Sequence, residues 1–144
     1  MSYAKDLLDL GATPLGLEAG AVADAIVAAA NCEQACTGCA DLCLAEDDVA
    51  AMARCVALCT SCADMCGTAL RTLSRPVQAD HAVVHHVLRA CVRACRLSAE
   101  ECAKHAQHHR HCAICEQACR ACERACGDLL EAEAFEALEK LAGG

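Results

Sequence analysis

The segment Cys115-Glu-Gln-Ala-Cys119-Arg-Ala-Cys122-Glu-Arg-Ala-Cys126 places its four cysteines at i, i+4, i+7 and i+11. That spacing predicts a single stripe along an α-helix, because residues three and four apart share a helix face. Three earlier segments have the same spacing, except that Ser98 replaces one cysteine. Their cysteines are Cys32, Cys36, Cys39 and Cys43; Cys55, Cys59, Cys62 and Cys66; and Cys91, Cys95 and Cys102. Cys112 extends the last stripe and completes the sixteen cysteines of the chain.

The composition also favours an all-α fold. A chain of 144 residues has room for four helices of about 20 to 28 residues each within one domain. Ala, Leu, Glu and Arg are abundant, and no segment alternates as a strand would. Trp is absent, so Cys and Ala must fill the core, which free cysteine can do as a small hydrophobe. We predict an up-down-up-down four-helix bundle with a cysteine-lined core.

Chain-breaking residues divide the predicted single domain (1–144) into parts. These are a short N-terminal helix and turn (1–13), the four-helix bundle (14–127) and a helical C-terminal extension (128–144). The first bundle helix is expected to run from Leu15 to Leu44, and the second to end at Leu73. The third is expected to run from Gln78 to His105, and the fourth to begin near His111. Thr13-Pro14 is a typical helix start. The apolar residues of the extension have helical spacing, so we expect it to pack on the bundle or on another subunit.

The stripes lie at different positions along their helices. The first and third helices carry their cysteines in the C-terminal half, and the second and fourth in the N-terminal half. Up-down topology therefore gathers all the thiols at one end of the bundle, in a column roughly 17 Å long. Aliphatic residues are expected to fill the other end: Val22, Ala25, Leu70, Leu73, Val84, Leu88 and Leu129.

Charge and terminal sequence limit the expected partners and compartment. The net charge of −8 argues against binding nucleic acid or an anionic membrane surface. The first ten residues carry acids and lack the apolar core of a signal peptide, and no run of 18 apolar residues occurs. We therefore expect a protein of the cytosol, where thiols stay reduced and clustered cysteines indicate metal binding or catalysis.

Disulfides fit this pattern poorly. Cysteines at i and i+4 on a helix have Cβ atoms about 5 to 6 Å apart, whereas a disulfide needs about 3.5 to 4.5 Å. A disulfide-stapled helical protein therefore remains only an alternative. A thiol-redox protein is a second alternative, although no Cys-x2-Cys lies in a βαβ context and no base is paired with one nucleophile.

Soft metal ions explain the cysteine pattern better than disulfides do. Thiolates select Cu(I), Zn(II) and iron–sulfur clusters, and no proline follows a cysteine cluster as it does in ferredoxins. Sixteen thiolates with about as many Cu(I) ions leave a neutral core, whereas each Zn(Cys)4 site would bury a charge of −2. Multiple Cu(I) ions are therefore the preferred guest, and a reservoir of zinc or another thiophilic metal is the alternative.

These segments resemble a known family. Four cysteine-lined helices with Cys-x3-Cys-x2-Cys-x3-Cys spacing, and with histidines around the third inter-helix turn, are similar to the bacterial copper storage proteins of the cytosolic class. The resemblance covers Gly16 to Cys126 and implies a preformed bundle that stores many Cu(I) ions, often in Cys-x3-Cys pairs. It also implies a homo-oligomer, specifically a tetramer, and a protein that is not an enzyme. Ser98 and the extension after Gly127 depart from the family pattern.

Histidines crowd the turn at the cysteine end, at His105, His108, His109 and His111. Cys102, His105 and His109 would share a helix face at i, i+3 and i+7. We therefore expect His105 and His109 to join the sixteen cysteines as metal ligands, at a mouth where Cu(I) enters. The alternative is a solvated polar turn.

Overall fold

In a computed structural model that describes residues 2–11 and 13–143, the chain is helical, with no strand among those residues. Its α-helices are α1 (Ala4–Leu8), α2 (Ala19–Leu44), α3 (Ala53–Leu73), α4 (His81–His105) and α5 (Arg110–Gly143). Each long helix packs against its neighbours in chain order, and α5 closes the ring against α2. Short turns make successive helices antiparallel, so the predicted up-down-up-down bundle is confirmed.

Two long helices begin later than the sequence predicted, because local capping sets their first residues. Pro14–Gly16 forms a separate 3₁₀ turn, and Gly16 has a φ of 68°, which interrupts the helix expected from Leu15. The carboxylate of Glu18 then caps α2 by accepting the backbone N–H groups of Gly20 and Ala21, both at 2.8 Å. In α4 the cap is Asp80, whose Oδ1 accepts the N–H of Val83 at 3.0 Å.

The C-terminal extension continues α5. Gly127 lies within the helix, as Gly67 does in α3, and the backbone stays helical to Gly143. Leu130 is half-buried against the core, whereas Leu141 is exposed. The side chain of Leu138, which we expected to pack, lies outside the described residues. The extension is therefore a helix whose first residues contact the bundle.

The bundle core has two chemically different ends. All sixteen cysteines are buried, each with at most 2% of its surface exposed. The other end is filled by Val22, Ala25, Leu73, Val84, Leu88 and Leu129, which are all buried, while Leu70 is half-buried. The thiols therefore occupy one half of a continuous core, as the stripes predict.

The segment 49–73, which includes α3, is long and apolar enough to cross a membrane by length and composition alone. Much of that apolar character comes from Cys55, Cys59, Cys62 and Cys66, which are all buried inside the bundle. The core helix of a soluble bundle can also be long and apolar enough to pass this membrane-span test. The buried thiol stripe therefore accounts for the apolar character of the segment 49–73.

Candidate metal centre

The thiols of four helices meet along the bundle axis. Each sulfur lies within 4.0 Å of at least one other. Cys36 of α2 and Cys119 of α5 are 3.5 Å apart, and Cys66 of α3 and Cys95 of α4 are 3.7 Å apart. The heptad-like spacing of each helix produces this arrangement, because it keeps every stripe facing the bundle axis.

Contacts within single helices have the same length. The sulfurs of six Cys-x3-Cys pairs lie 3.8 to 4.0 Å apart, and every cysteine is free. A disulfide requires about 2.05 Å between the sulfurs, whereas two metal–sulfur bonds of about 2.3 Å span up to roughly 4.6 Å. The pairs are therefore spaced to hold a soft metal ion between two sulfurs after a small adjustment.

Several groups of ligand atoms lie within 4.8 Å of one another. They include Cys32/Cys66/Cys95/Cys122, Cys32/Cys36/Cys62/Cys119, Cys39/Cys59/Cys102/Cys115 and Cys91/Cys122/Cys126. These groups share members, since Cys32 and Cys122 each belong to two of them. Separate four-thiolate zinc sites cannot use one sulfur twice, whereas thiolates that bridge several ions can. The arrangement therefore favours linked metal ions over independent mononuclear sites.

A histidine covers the column at the polar end. His111 Nδ1 lies 3.4 Å from Cys39 Sγ and 3.6 Å from Cys112 Sγ, and with Cys43 these residues form one further candidate group. The other ring nitrogen, Nε2, is 2.8 Å from Glu46 Oε1. A carboxylate at Nε2 holds the proton there, which leaves the Nδ1 lone pair directed at the thiols. His111 thus has the geometry of a metal ligand supported by a carboxylate.

The structure does not bring His105 and His109 to the thiols. His105 Nε2 bonds Glu101 Oε2 at 3.0 Å, and His109 lies 3.3 Å from carboxylate oxygens at each ring nitrogen. The expected stripe needs a helix that continues through His109, but α4 ends at His105. The sequence signal for His111 was its position four residues before Cys115, on the next helix.

Burial controls the protonation of the thiols nearest the polar end. Removal from water raises the pKa of Cys43, and it raises the pKa of Cys112 to about 12. Deeper in the column, hydrogen bonds from the thiols of Cys102 and Cys115 hold the pKa of Cys59 below its ordinary value. A metal ion must therefore displace thiol protons to bind at the outer positions.

A helical bundle with a buried column of free, mutually touching thiols defines a class of soft-metal-binding protein. The family model described as copper storage protein matches residues 19–131 of the chain. This span is most of the sequence, so the chain belongs to the copper storage protein family. The resemblance inferred from the cysteine stripes is confirmed. No curated protein sequence matches the chain significantly.

Solved structures of copper storage proteins also match the fold of this chain. The chain is similar to the copper storage protein Ccsp from Streptomyces lividans loaded with 10 copper equivalents, at 42% identity and a TM-score of 0.85, covering 89% of this chain and 98% of that one. It is similar to a cytosolic copper storage protein from Streptomyces lividans with five coppers, at 44% identity, a TM-score of 0.76, and coverage of 78% and 93%. A Ccsp variant with one histidine replaced by alanine gives 42% identity, a TM-score of 0.80, and coverage of 82% and 98%.

Proposed function

We propose that this member of the copper storage protein family stores many Cu(I) ions along its thiol column and does not catalyse a reaction. The observation that carries the proposal is the set of sixteen buried free thiols, each within 4.0 Å of another sulfur. Soft thiolates prefer Cu(I), and thiolates shared between ions suit low coordination numbers. The proposed ligands are the sixteen cysteines, with His111 added at the polar end.

Charge balance distinguishes copper from zinc. One Cu(I) for each deprotonated thiol leaves the buried column neutral, whereas tetrathiolate zinc would leave uncompensated negative charge. No described lysine or arginine is buried beside the column to offset such charge. A zinc reservoir therefore has a larger desolvation cost than a copper store in this fold.

We propose that copper enters at the polar end. His111 contacts two thiols there, and the carboxylates of Glu46 and Asp48 bind the ring nitrogens of His109. The opposite end is closed by buried aliphatic side chains. His105 and His109 are placed to shape this entrance through their carboxylate partners, and we assign them no direct bond to copper.

The remaining expectations about location and partners rest on composition and relatives. We propose a cytosolic protein, in keeping with the cytosolic relative from Streptomyces lividans. A homo-oligomer, specifically a tetramer, stays a prediction from the family resemblance. The net charge of −8 supports the prediction that neither nucleic acid nor an anionic membrane is a partner.

An anaerobic titration tests the proposal. Fully reduced protein is titrated with Cu(I) against a competing coloured chelator, and a matched sample is titrated with Zn(II). We expect saturation near one copper per thiol, on the order of 16 ions, with binding much tighter than that of zinc. Saturation at one or two copper ions would indicate a chaperone or sensor, and tight binding of about four zinc ions with weak copper binding would favour a zinc reservoir.

A matched variant tests the added ligand. His111→Ala is expected to slow copper uptake and His108→Ala, at the exposed histidine of the same turn, to leave uptake unchanged. Equal uptake rates in both variants would remove His111 from the site.

A further inference from the structure

Three sulfurs from two neighbouring helices form a closed triangle in the middle of the thiol column. Cys115 and Cys119 are a Cys-x3-Cys pair of α5, and their sulfurs are 3.9 Å apart. The sulfur of Cys36, on α2, lies 3.5 Å from both of them. Each sulfur of this triangle therefore contacts the other two.

Two more triangles of the same kind lie between α3 and α4. In the first, Cys55 and Cys59 of α3 are 3.8 Å apart, and Cys102 of α4 lies 3.8 Å from one and 3.7 Å from the other. The second has edges of 3.7 to 3.9 Å and consists of Cys62, Cys66 and Cys95. In both triangles, a Cys-x3-Cys pair of α3 receives its third sulfur from α4.

Each end of the column carries a wider group of three. At the aliphatic end, the sulfur of Cys122 lies 4.0 Å from that of Cys126 and 3.9 Å from that of Cys91, and all three lie within 4.8 Å of one another. The group at the polar end, whose sulfurs also lie within 4.8 Å of one another, consists of Cys39, Cys43 and Cys112. Both groups again join a Cys-x3-Cys pair of one helix to a single thiol of its neighbour.

We call these five sets of three thiols the trios. They share no member, so together they use all but one of the sixteen free thiols. The thiol that belongs to none of them is Cys32. The column can therefore be divided almost completely into sets of three sulfurs, and three thiolates carry the charge that neutralises a trivalent ion.

Arsenic(III) is a soft trivalent centre that bonds three sulfurs in a pyramid. If its bonds have about the length of zinc–sulfur bonds, 2.3 Å, and lie nearly at right angles, the three sulfurs are roughly 3.3 Å apart. The edges of the triangle formed by Cys36, Cys115 and Cys119 are 3.5 and 3.9 Å, so they exceed that spacing by only about 0.2 to 0.6 Å. Small movements of the side chains therefore close the triangle around one arsenic atom.

The charge of bound arsenic also suits a buried column. Three thiolates balance one As(III), so a filled trio is neutral, whereas a tetrathiolate zinc site would bury a charge of −2. Arsenous acid, As(OH)3, is itself uncharged at neutral pH. It can therefore reach the buried thiols without the desolvation cost of an ion.

We propose that the thiol column is also a binding site for trivalent arsenic, with one arsenic atom in each trio. As(OH)3 reacts with three thiols to give As(S-Cys)3 and three molecules of water. Three As–O bonds break as three As–S bonds form, each thiol proton leaves with a hydroxyl group, and arsenic stays in the +3 state. The proposal goes beyond copper storage and does not depend on it, although both cargoes use the same thiols.

Mass spectrometry and X-ray absorption test the trios. Fully reduced, metal-free protein is mixed anaerobically with excess sodium arsenite and freed of unbound arsenite. We expect about five arsenic atoms per chain, each adding the mass of arsenic less three hydrogens. X-ray absorption at the arsenic edge should show three sulfur neighbours and no oxygen. No bound arsenic, or arsenic that keeps an oxygen neighbour, would overturn the proposal.

Two serine variants separate the trios from simple thiol content. Cys32→Ser and Cys91→Ser each remove one fully buried thiol, and both should lower the copper capacity by about one ion. Cys32 lies outside the trios, so Cys32→Ser is expected to bind as much arsenic as the wild type. Cys91 completes the trio of Cys122 and Cys126, so Cys91→Ser is expected to lose one arsenic atom, about a fifth of the total.

Equal arsenic capacities in the two variants would overturn the trios, because capacity would then follow the number of thiols alone. Circular dichroism checks that both variants retain their helices, and the wild-type spectra test the three-sulfur site independently of either variant.

A competition experiment separates the two cargoes. Protein saturated with Cu(I) is expected to bind no arsenic, since its thiolates are occupied. Arsenic uptake by the copper-saturated protein would place arsenic outside the column and overturn the proposal. Absence of arsenic binding beside a copper total near one per thiol would leave copper storage intact, whereas full arsenic binding with only one or two coppers would overturn storage alone.

Discussion

The thiol half and the aliphatic half of the bundle share the same helices and the same inward-facing stripes. In α4 the stripe runs Val84, Leu88, Cys91, Cys95, and α5 ends its thiols at Cys126 and continues with Leu129. The packing positions are alike, with alternating steps of three and four residues. Only the side chain changes. A single architecture therefore serves as ordinary core at one end and as a ligand array at the other.

The two halves differ in what stabilises them. A buried leucine removes enough apolar surface from water to contribute about 1.5 to 3 kcal/mol. A thiol buries less area, so the aliphatic half supplies more of the stability of the metal-free protein for each position. The thiol half gains its largest stabilisation only when metal links its helices. We therefore expect a bundle that is folded without copper and becomes much more stable with it.

Copper loading is expected to have the largest effect. A ligand that binds only the folded state adds about 4 kcal/mol for each independent site when its concentration is a thousandfold above the dissociation constant. Thermal unfolding of reduced protein, followed by circular dichroism with and without copper, should show a large rise in Tm that a Cu(I) chelator reverses. Little helix in the metal-free protein, or an unchanged Tm after loading, would contradict this contrast between the halves.

Leu88→Ala should have the next largest effect. Leu88 is fully buried at the aliphatic end of α4, so its truncation leaves a cavity and should cost about 2 to 5 kcal/mol in the unfolding free energy of the metal-free protein. Copper capacity should not change, because no thiol is lost. Urea unfolding and copper titration measure the two quantities.

Val83→Ala is the matched control on the same helix. Val83 is 54% exposed, so its truncation should change the unfolding free energy by no more than about 0.5 kcal/mol. A Leu88→Ala protein that lost copper capacity while it stayed folded would show that the halves are not separable.

Glu101→Gln should have a smaller effect, at the polar end of the thiol half. The Glu101 side chain is 7% exposed and lies 3.0 Å from His105, 3.1 Å from Lys104 and 3.3 Å from Arg54. Burial acts to raise the pKa of Glu101, but hydrogen bonds from His105 and Lys104 bring it below its ordinary value. Loss of the charge should cost about 1 to 2 kcal/mol at neutral pH.

The pH dependence of this effect has a definite sign. Because the pKa of Glu101 is lower in the folded state, its stabilisation is present above the ordinary glutamate pKa and is lost as the pH falls through the folded value. Urea unfolding at neutral and acidic pH should show the wild-type advantage over Glu101→Gln shrinking in acid. Glu100→Gln, at the exposed neighbour, controls for net charge. Equal effects of both substitutions would assign no specific role to Glu101.

Helical periodicity was enough to predict the fold and the thiol column. Stripes at i, i+4, i+7 and i+11 indicate both a helix and an inward face, and their positions along the chain predict which end holds the thiols. Helix starts were less predictable, since the positive φ of Gly16 and the side-chain cap of Glu18 depend on local geometry. The positions of the histidines were also hard to predict. Because α4 ends at His105, His109 does not lie on the helix face of Cys102.

The sequence alone determined the all-α class, the up-down bundle, the family and the inward-facing cysteine stripes, because periodicity and side-chain type are properties of position along one chain. The tertiary structure decided which atoms face each other across helices. It placed His111 rather than His105 against the thiols, and it placed the hydroxyl of Ser98 among Cys36, Cys59 and Cys119. Distances between helices depend on their relative rotation and stagger, which no single stripe records.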